Sequence, residues 1–217
     1  MLLTIEPDPA AKQSYARAGQ YVSVKTSATA PGGYFVLAGE TGAETWQLII
    51  RSVGETASAI LAVPDHGELM TSIALGSGFP FEEARGRSLL LAATGSGVAA
   101  MRPVIAHRMR EGDGARTELL LGVRSAADVP LSSEIARWRS LGVRVTACLS
   151  QGEPPPGQPG FARGYVQDVA RRTAAGAPDA THTGGMIFAA GVKPMIEGVR
   201  ALARELGVAE ADVRTNY

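Results

Sequence analysis

Residues 88–98 read Ser88-Leu-Leu-Leu-Ala-Ala-Thr-Gly-Ser-Gly-Val98. Ser88 to Ala93 is a near-continuous apolar run, as expected of a strand buried on both faces. The Gly95-Ser-Gly97 turn ends it, and Val98 to Arg110 then carries apolar residues at helical spacing. The same alternation continues downstream. Strands are expected at Glu118 to Val123, Val143 to Leu149 and Met186 to Ala190, with helices at Leu131 to Leu141, Tyr165 to Arg172 and Pro194 to Leu206. Strand alternating with helix predicts a parallel sheet with right-handed crossovers. The Pro-rich stretch Gly152 to Gly160 reads as an exposed loop.

Upstream of Arg85 the grammar changes. Short runs rich in β-formers stand at Leu2 to Ile5, Tyr21 to Lys25, Tyr34 to Ala38, Thr45 to Val53 and Ile73 to Leu75, each bounded by Gly or Pro. One short helix is expected from Thr56 to Ala62. Strands with regular turn signals suggest a small antiparallel barrel. The expected fold is therefore a β barrel over residues 1–84, followed by a Rossmann-like α/β domain over 85–217.

Composition narrows the function. Lys and Arg number 21, as do Asp and Glu, so no net charge invites nucleic acid or an anionic membrane. Cys148 is the sole cysteine, which excludes an intrachain disulfide and a cluster held by cysteines of this chain alone. His66, His107 and His182 have no partner at metal spacing, so no metal is assigned. The first residues lack the basic flank and apolar core of a signal peptide, and no apolar run approaches the roughly 18 residues of a membrane helix. A soluble, cytoplasmic protein is expected.

In an open α/β sheet, ligands sit beyond the carboxyl ends of the strands where strand order reverses. The Thr94-Gly95-Ser96-Gly97 turn is such an end. Two glycines let the backbone approach an anion, and the following helix offers free N–H groups. A plain strand–helix turn would read the same way, and Ala100 stands where the full dinucleotide fingerprint has its third glycine. A second turn, Ala190-Gly191-Val-Lys-Pro194, follows the last strand and would lie beside the first.

These residues in this order resemble the ferredoxin–NADP⁺ reductase superfamily, in particular its compact FAD/NAD(P)-binding oxidoreductases. Ala18-Gly19-Gln20-Tyr21 matches the family's Ala-Gly-Gln-Tyr/Phe strand start. Gly95 to Ala100 resembles its Gly-Thr-Gly-Ile-Ala-Pro turn with the proline lost. Gly122-Val123-Arg124-Ser125 matches a Gly-Ala-Arg-Ser segment near the adenosine ribose. Gly164-Tyr-Val-Gln-Asp168 belongs to the same order of motifs. Ala190 to Met195 matches Cys-Gly-Pro-x-x-Met near the nicotinamide, with alanine for the cysteine.

The resemblance implies hydride transfer between NAD(P)H and FAD and onward electron transfer to an unknown acceptor, which could be a separate protein. It implies NAD(P) held by Gly95, Ser96, Gly97, Arg124, Ser125, Gly191 and Met195. It places FAD along Tyr34, Phe35, Val36 and Leu37 and at the backbone of Gly54, Thr56, Ala57 and Ser58. Thr94 and the terminal Tyr217 would stand at the reacting rings. Several of these residues have a plainer reading. Tyr34 and Phe35 also suit barrel packing, Arg124 a solvated loop, Ser125 a helix cap, Thr94 a satisfied turn hydroxyl, and Tyr217 a frayed end.

The chain departs from the family where flavin binds. The family's Arg-x-Tyr-Ser aligns with Gly33-Tyr34-Phe35-Val36, so arginine and serine are absent and phenylalanine replaces tyrosine. The family also has a strand before the one at Leu2, so either the barrel is incomplete or the start is truncated. A nucleotide-binding regulatory or electron-transfer subunit with a degenerate flavin site is the rival reading.

Overall fold

The computed structural model describes residues 1–176 and 185–216. Tyr217 and His182 lie outside the described residues.

The first half contains five antiparallel strands: β1 (Leu2–Ile5), β2 (Tyr21–Lys25), β3 (Gly33–Val36), β4 (Trp46–Ile49) and β5 (Met70–Thr71). They pair as β1-β4 and as β3-β2-β5, and a single bridge from Leu37 to Leu48 joins the two sheets into one barrel-like surface. Period-two alternation turns Val22 and Val24 inward, where they meet Leu37, Trp46, Leu48 and Ile60. Two helices pack on this core: α1 (Pro9–Ser14) through Ala11, and α2 (Glu55–Leu61) through Ala57 and Ile60.

The last barrel strand lies earlier than the expected Ile73 to Leu75, at Met70–Thr71. Ser72 explains the shift. Its hydroxyl accepts from the Ser23 amide at 3.0 Å, while its own amide donates to the Ser23 carbonyl at 3.0 Å. A side chain thus takes a ladder position, the register breaks, and Leu75 makes only one bridge to Tyr21. The helix α1 was not expected from the sequence. Asp8 caps it by accepting from the Ala11 amide at 2.8 Å, and Pro9 opens its first turn.

The second half is a six-stranded sheet: β6 (Leu89–Thr94), β7 (Thr117–Val123), β8 (Arg144–Leu149), β9 (Phe161–Arg163), β10 (Met186–Ala190) and β11 (Val213–Thr215). All neighbours are parallel, in the order β11-β10-β6-β7-β8-β9. The helices α3 (Val98–Arg110) and α4 (Ser132–Ser140) cover one face, and α5 (Val166–Gly176) and α6 (Lys193–Glu205) cover the other. The three-residue edge strands β9 and β11 were not expected.

The halves share one core. Ala18, Ala38, Ile49, Phe79 and Ala84 pack with Leu91, Val98, Met101 and Phe188, and Phe79 stacks on Phe188 with ring centroids 4.7 Å apart. Arg108 anchors the connecting segment. Its guanidinium is almost sealed from solvent, pairs with Asp113 at 2.8 Å, and donates to Thr117 and to the carbonyls of Ala84 and Arg87. Removing one partner of such a buried pair strands the rest. Arg108→Ala is therefore expected to lower unfolding stability by about 3–5 kcal/mol, read from urea denaturation. An unchanged midpoint would show that the bonds are redundant.

Candidate functional site

Strand order reverses between β6 and β10, because β7, β8 and β9 run to one side and β11 to the other. The turns after β6 and β10 meet there. A Cβ at Gly97 would lie 2.3 Å from the Ala190 carbonyl oxygen, so a glycine is required for the two turns to touch. This reason differs from one based on ligand approach alone. Gly191 has φ +151, and a Cβ there would lie 2.0 Å from the Thr94 hydroxyl. That hydroxyl accepts a hydrogen bond from the Val192 amide at 3.0 Å. Thr94 is thus a satisfied turn hydroxyl whose own proton is left for a further acceptor.

A cavity of about 690 Å³ opens beside these turns. Thr94, Gly95, Ser96, Arg124 and Met195 line it, so the structure brings together five of the expected residues. Gly97 and Gly191 shape it from behind. Helix α3 starts at Val98 with no side-chain cap and no acid in its first turn, leaving amide groups at the Gly95 end. Arg124 is mostly exposed and contacts Asp128 at 3.3 Å. Ser125 lies just outside the lining and donates to Asp128 at 2.8 Å in a capping box. That bond, with Arg124 behind it, holds the Asp128 carboxyl below its usual range.

Four lining residues carry signals that sequence reasoning did not assign. Arg51, just past β4, reaches across from the barrel: its Nη1 lies 3.4 Å from where a Cβ on Gly95 would be. Tyr165 is 61% exposed and leaves a ring face free at the rim. The Gln167 side-chain oxygen is buried without a hydrogen-bond partner. The Gly-Tyr-Val-Gln-Asp motif was visible; its side-chain directions were not. Cys148 lines the floor, wholly buried, and burial pushes its thiol up to about 12.

The expected flavin positions fall elsewhere. Leu37 is fully buried and Ala57 nearly so, both within the barrel core. Phe35 packs on that core from its edge. Tyr34 is 73% exposed and meets Tyr21 edge-to-face at 5.7 Å. Val36 packs against the shared core, Gly54 and Ser58 are exposed, and Thr56 is half-buried. Tyr217 lies outside the described residues, although its neighbour Asn216 is anchored, donating to the Gly19 carbonyl at 3.3 Å.

The residues present fit a nicotinamide dinucleotide: facing glycine turns, an uncapped helix start and the basic side chains of Arg51 and Arg124 share one cavity of suitable size. They do not fit a firmly held FAD. Neither β3 nor α2 contains Lys or Arg, and α2 opens with Glu55. A Cβ at Gly33 would lie 2.8 Å from the Phe35 ring and 3.3 Å from Thr56, so Phe35 fills the place from which the family's arginine would extend.

Two outcomes test this description. Gly97→Ala should weaken nicotinamide-nucleotide binding about tenfold or more, since the turns must separate by more than one ångström; unchanged affinity in calorimetry would detach the turn contact from the site. Cys148 should resist a thiol reagent in the native protein at neutral pH and react once unfolded, because a thiol pushed to about 12 is protonated there.

Comparisons with known proteins agree with this architecture. The family described as "Oxidoreductase NAD-binding domain" matches residues 91–201, just over half of the chain. A ferredoxin–NADP reductase B of Sorangium cellulosum is 28% identical over 202 residues, covering 88% of this chain and 80% of the relative. Among solved structures, a cytochrome P450 reductase from Amycolatopsis superposes with a TM-score of 0.78 at 21% identity, over 93% of this chain. The chain spans only 60% of that reductase. A ferredoxin NADP⁺ reductase from Neisseria gonorrhoeae with bound FAD and NADP has a TM-score of 0.74 at 14% identity, over 100% of this chain and 93% of that one. These structural likenesses are likenesses of fold. The chain belongs to the oxidoreductase NAD-binding domain family, within the ferredoxin–NADP⁺ reductase superfamily.

Proposed function

We propose that the chain is an NAD(P)H-dependent oxidoreductase whose dinucleotide occupies the cavity between the Gly95 and Gly191 turns. The observation that carries this reading is their convergence with Arg51 on one cavity at the strand-order reversal. The pyrophosphate would lie over Gly95 and Ser96, where the start of α3 and the Arg51 guanidinium offer positive charge. The adenosine end would run toward Arg124 and the exposed Tyr165 ring. Ser125 would act through Asp128, setting the position of Arg124. The nicotinamide end would lie by Thr94, Gly191 and Met195.

Bound NAD(P)H supplies a hydride, which needs no strong acid or base from the protein. The chain's residues act by position. Thr94, whose oxygen accepts from the Val192 amide, has its proton free for a carbonyl acceptor. Met195 and the wholly apolar β10 behind it keep water from the floor. The same reading divides the chain near Arg85 into an acceptor-side barrel and a nucleotide domain, and sets the protein in the cytoplasm, where NAD(P)H is at hand. Electrons would leave on the barrel side, to a small molecule or to a separate redox protein such as the ferredoxin of the Sorangium relative's name.

Arg51→Ala should weaken NADH and NADPH alike by about tenfold, the scale of one charge-assisted phosphate contact, with less loss at high salt. Calorimetric titration measures it. Arg124→Ala should alter the ratio of NADPH to NADH affinity more than either alone. If neither variant changes binding, the pyrophosphate does not lie in this cavity.

A further inference from the structure

A second cavity, of about 1020 Å³, opens between the hairpin that joins β3 to β4 and the helices α3 and α4. It shares no lining residue with the cavity at the Gly95 turn. Each helix turns one face to it. Arg102, Ala106 and Met109 recur at helical spacing along α3, and Glu134, Trp138 and Leu141 do so along α4 and its C-cap. The hairpin is the third wall. Ion pairs hold it at two points, Glu40 with Arg110 of α3 and Glu44 with Lys12 of α1. Its tip is free, since a Cβ on Gly42 would meet nothing within 4 Å.

One side chain braces all three walls. The Arg102 guanidinium donates to Glu134 at 2.6 Å, to the Ala38 carbonyl at 3.0 Å and to the Gln47 side chain. The walls cannot close on one another without breaking these bonds. Charge around the cavity does not balance. Three guanidiniums and two carboxylates line it. Arg102 takes Glu134 and Arg110 takes Glu40. The third cation, Arg137, is exposed, and its side chain has no ion-pair or hydrogen-bond partner among the described residues. Beside it the surface is apolar. Trp138 is only 3% exposed, whereas Leu141 is 51% exposed at the rim.

We propose that this cavity binds an amphipathic organic monoanion, with a flat apolar body laid along Trp138, Met109 and Leu141 and its acid group on Arg137. The size suits one small molecule. A single charge matches the one cation left over, and a charge-assisted bond to Arg137 would orient the body on the apolar strip. Binding is reversible and no bond is made or broken. The proposal does not rest on the reading of the Gly95 cavity, and an occupant here is out of contact with a nucleotide bound there.

The test is a fluorescence titration of the full chain, with and without saturating NADH. The probe is anilinonaphthalenesulfonate, a monoanion with an aromatic body. Phenylnaphthylamine, the same body without the charge, is its control. The anion is expected to bind equally with and without NADH. Arg137→Gln, at an exposed position, should weaken the anion by about three- to tenfold and leave the neutral probe unchanged. Ala106→Trp fills the space between the helices and should weaken both probes by about tenfold or more. Should that variant not fold, Leu141→Glu takes its place: a carboxylate at the rim should weaken the anion more than the neutral probe. Four results would overturn the proposal: no binding of the anion, its displacement by NADH, equal effects of Arg137→Gln on the two probes, or unchanged affinities in the folded cavity variant.

Discussion

No side chain fits between the turn that follows β6 and the turn that follows β10. The Ala190 carbonyl occupies the space in front of Gly97, and the Thr94 hydroxyl occupies the space in front of Gly191. That contact fixes Ala93 beside Ala190 at the carboxyl ends of two adjacent parallel strands. With β10 locked next to β6, the chain must build outward on both sides, and the crevice at the reversal follows. The cavity, the free start of α3 and the placement of Met195 all depend on two backbones lying closer than any alanine would allow.

The barrel is joined to this arrangement by apolar packing and by one nearly sealed guanidinium. Phe79 on Phe188 joins barrel to sheet, and Arg108 gathers carbonyls from the connecting segment onto α3. A separate ion pair, Arg102 with Glu134, reaches the barrel as well, since Arg102 also donates to the Ala38 carbonyl at 3.0 Å. The junction is therefore stiff where β3 ends, and Arg51 is delivered to the Gly95 turn by a well-supported strand.

Much of the second half was legible because strands buried on both faces must be apolar throughout, as at Leu89 to Ala93, and because Val98 to Arg110 keeps helical spacing along its whole length. The short pieces were not. Three residues at β9 or β11 carry no periodicity, and Ser72 displaced β5 through a hydroxyl bond that no pattern announces. In α1 the signal was present in Asp8-Pro9 but was read as the end of a strand. At the site, glycine spacing pointed to Gly95 and Gly191, whereas Arg51 and Gln167 owe their places to tertiary contacts. The ring of Phe35 lying over Gly33 is likewise a matter of rotamer, invisible in the order of residues.

The break at Ser72 has a consequence for the protein's behaviour in a crowded solution. Among the described residues β1 and β5 each have a single neighbour, so two rows of backbone amides and carbonyls face outward. A long, flat border of that kind is a template on which another chain can add a strand. Here the β5 border is only two residues long, and the side-chain substitution ends its ladder at once. The hydroxyl that spoils the register also denies a neighbouring molecule enough edge to grip.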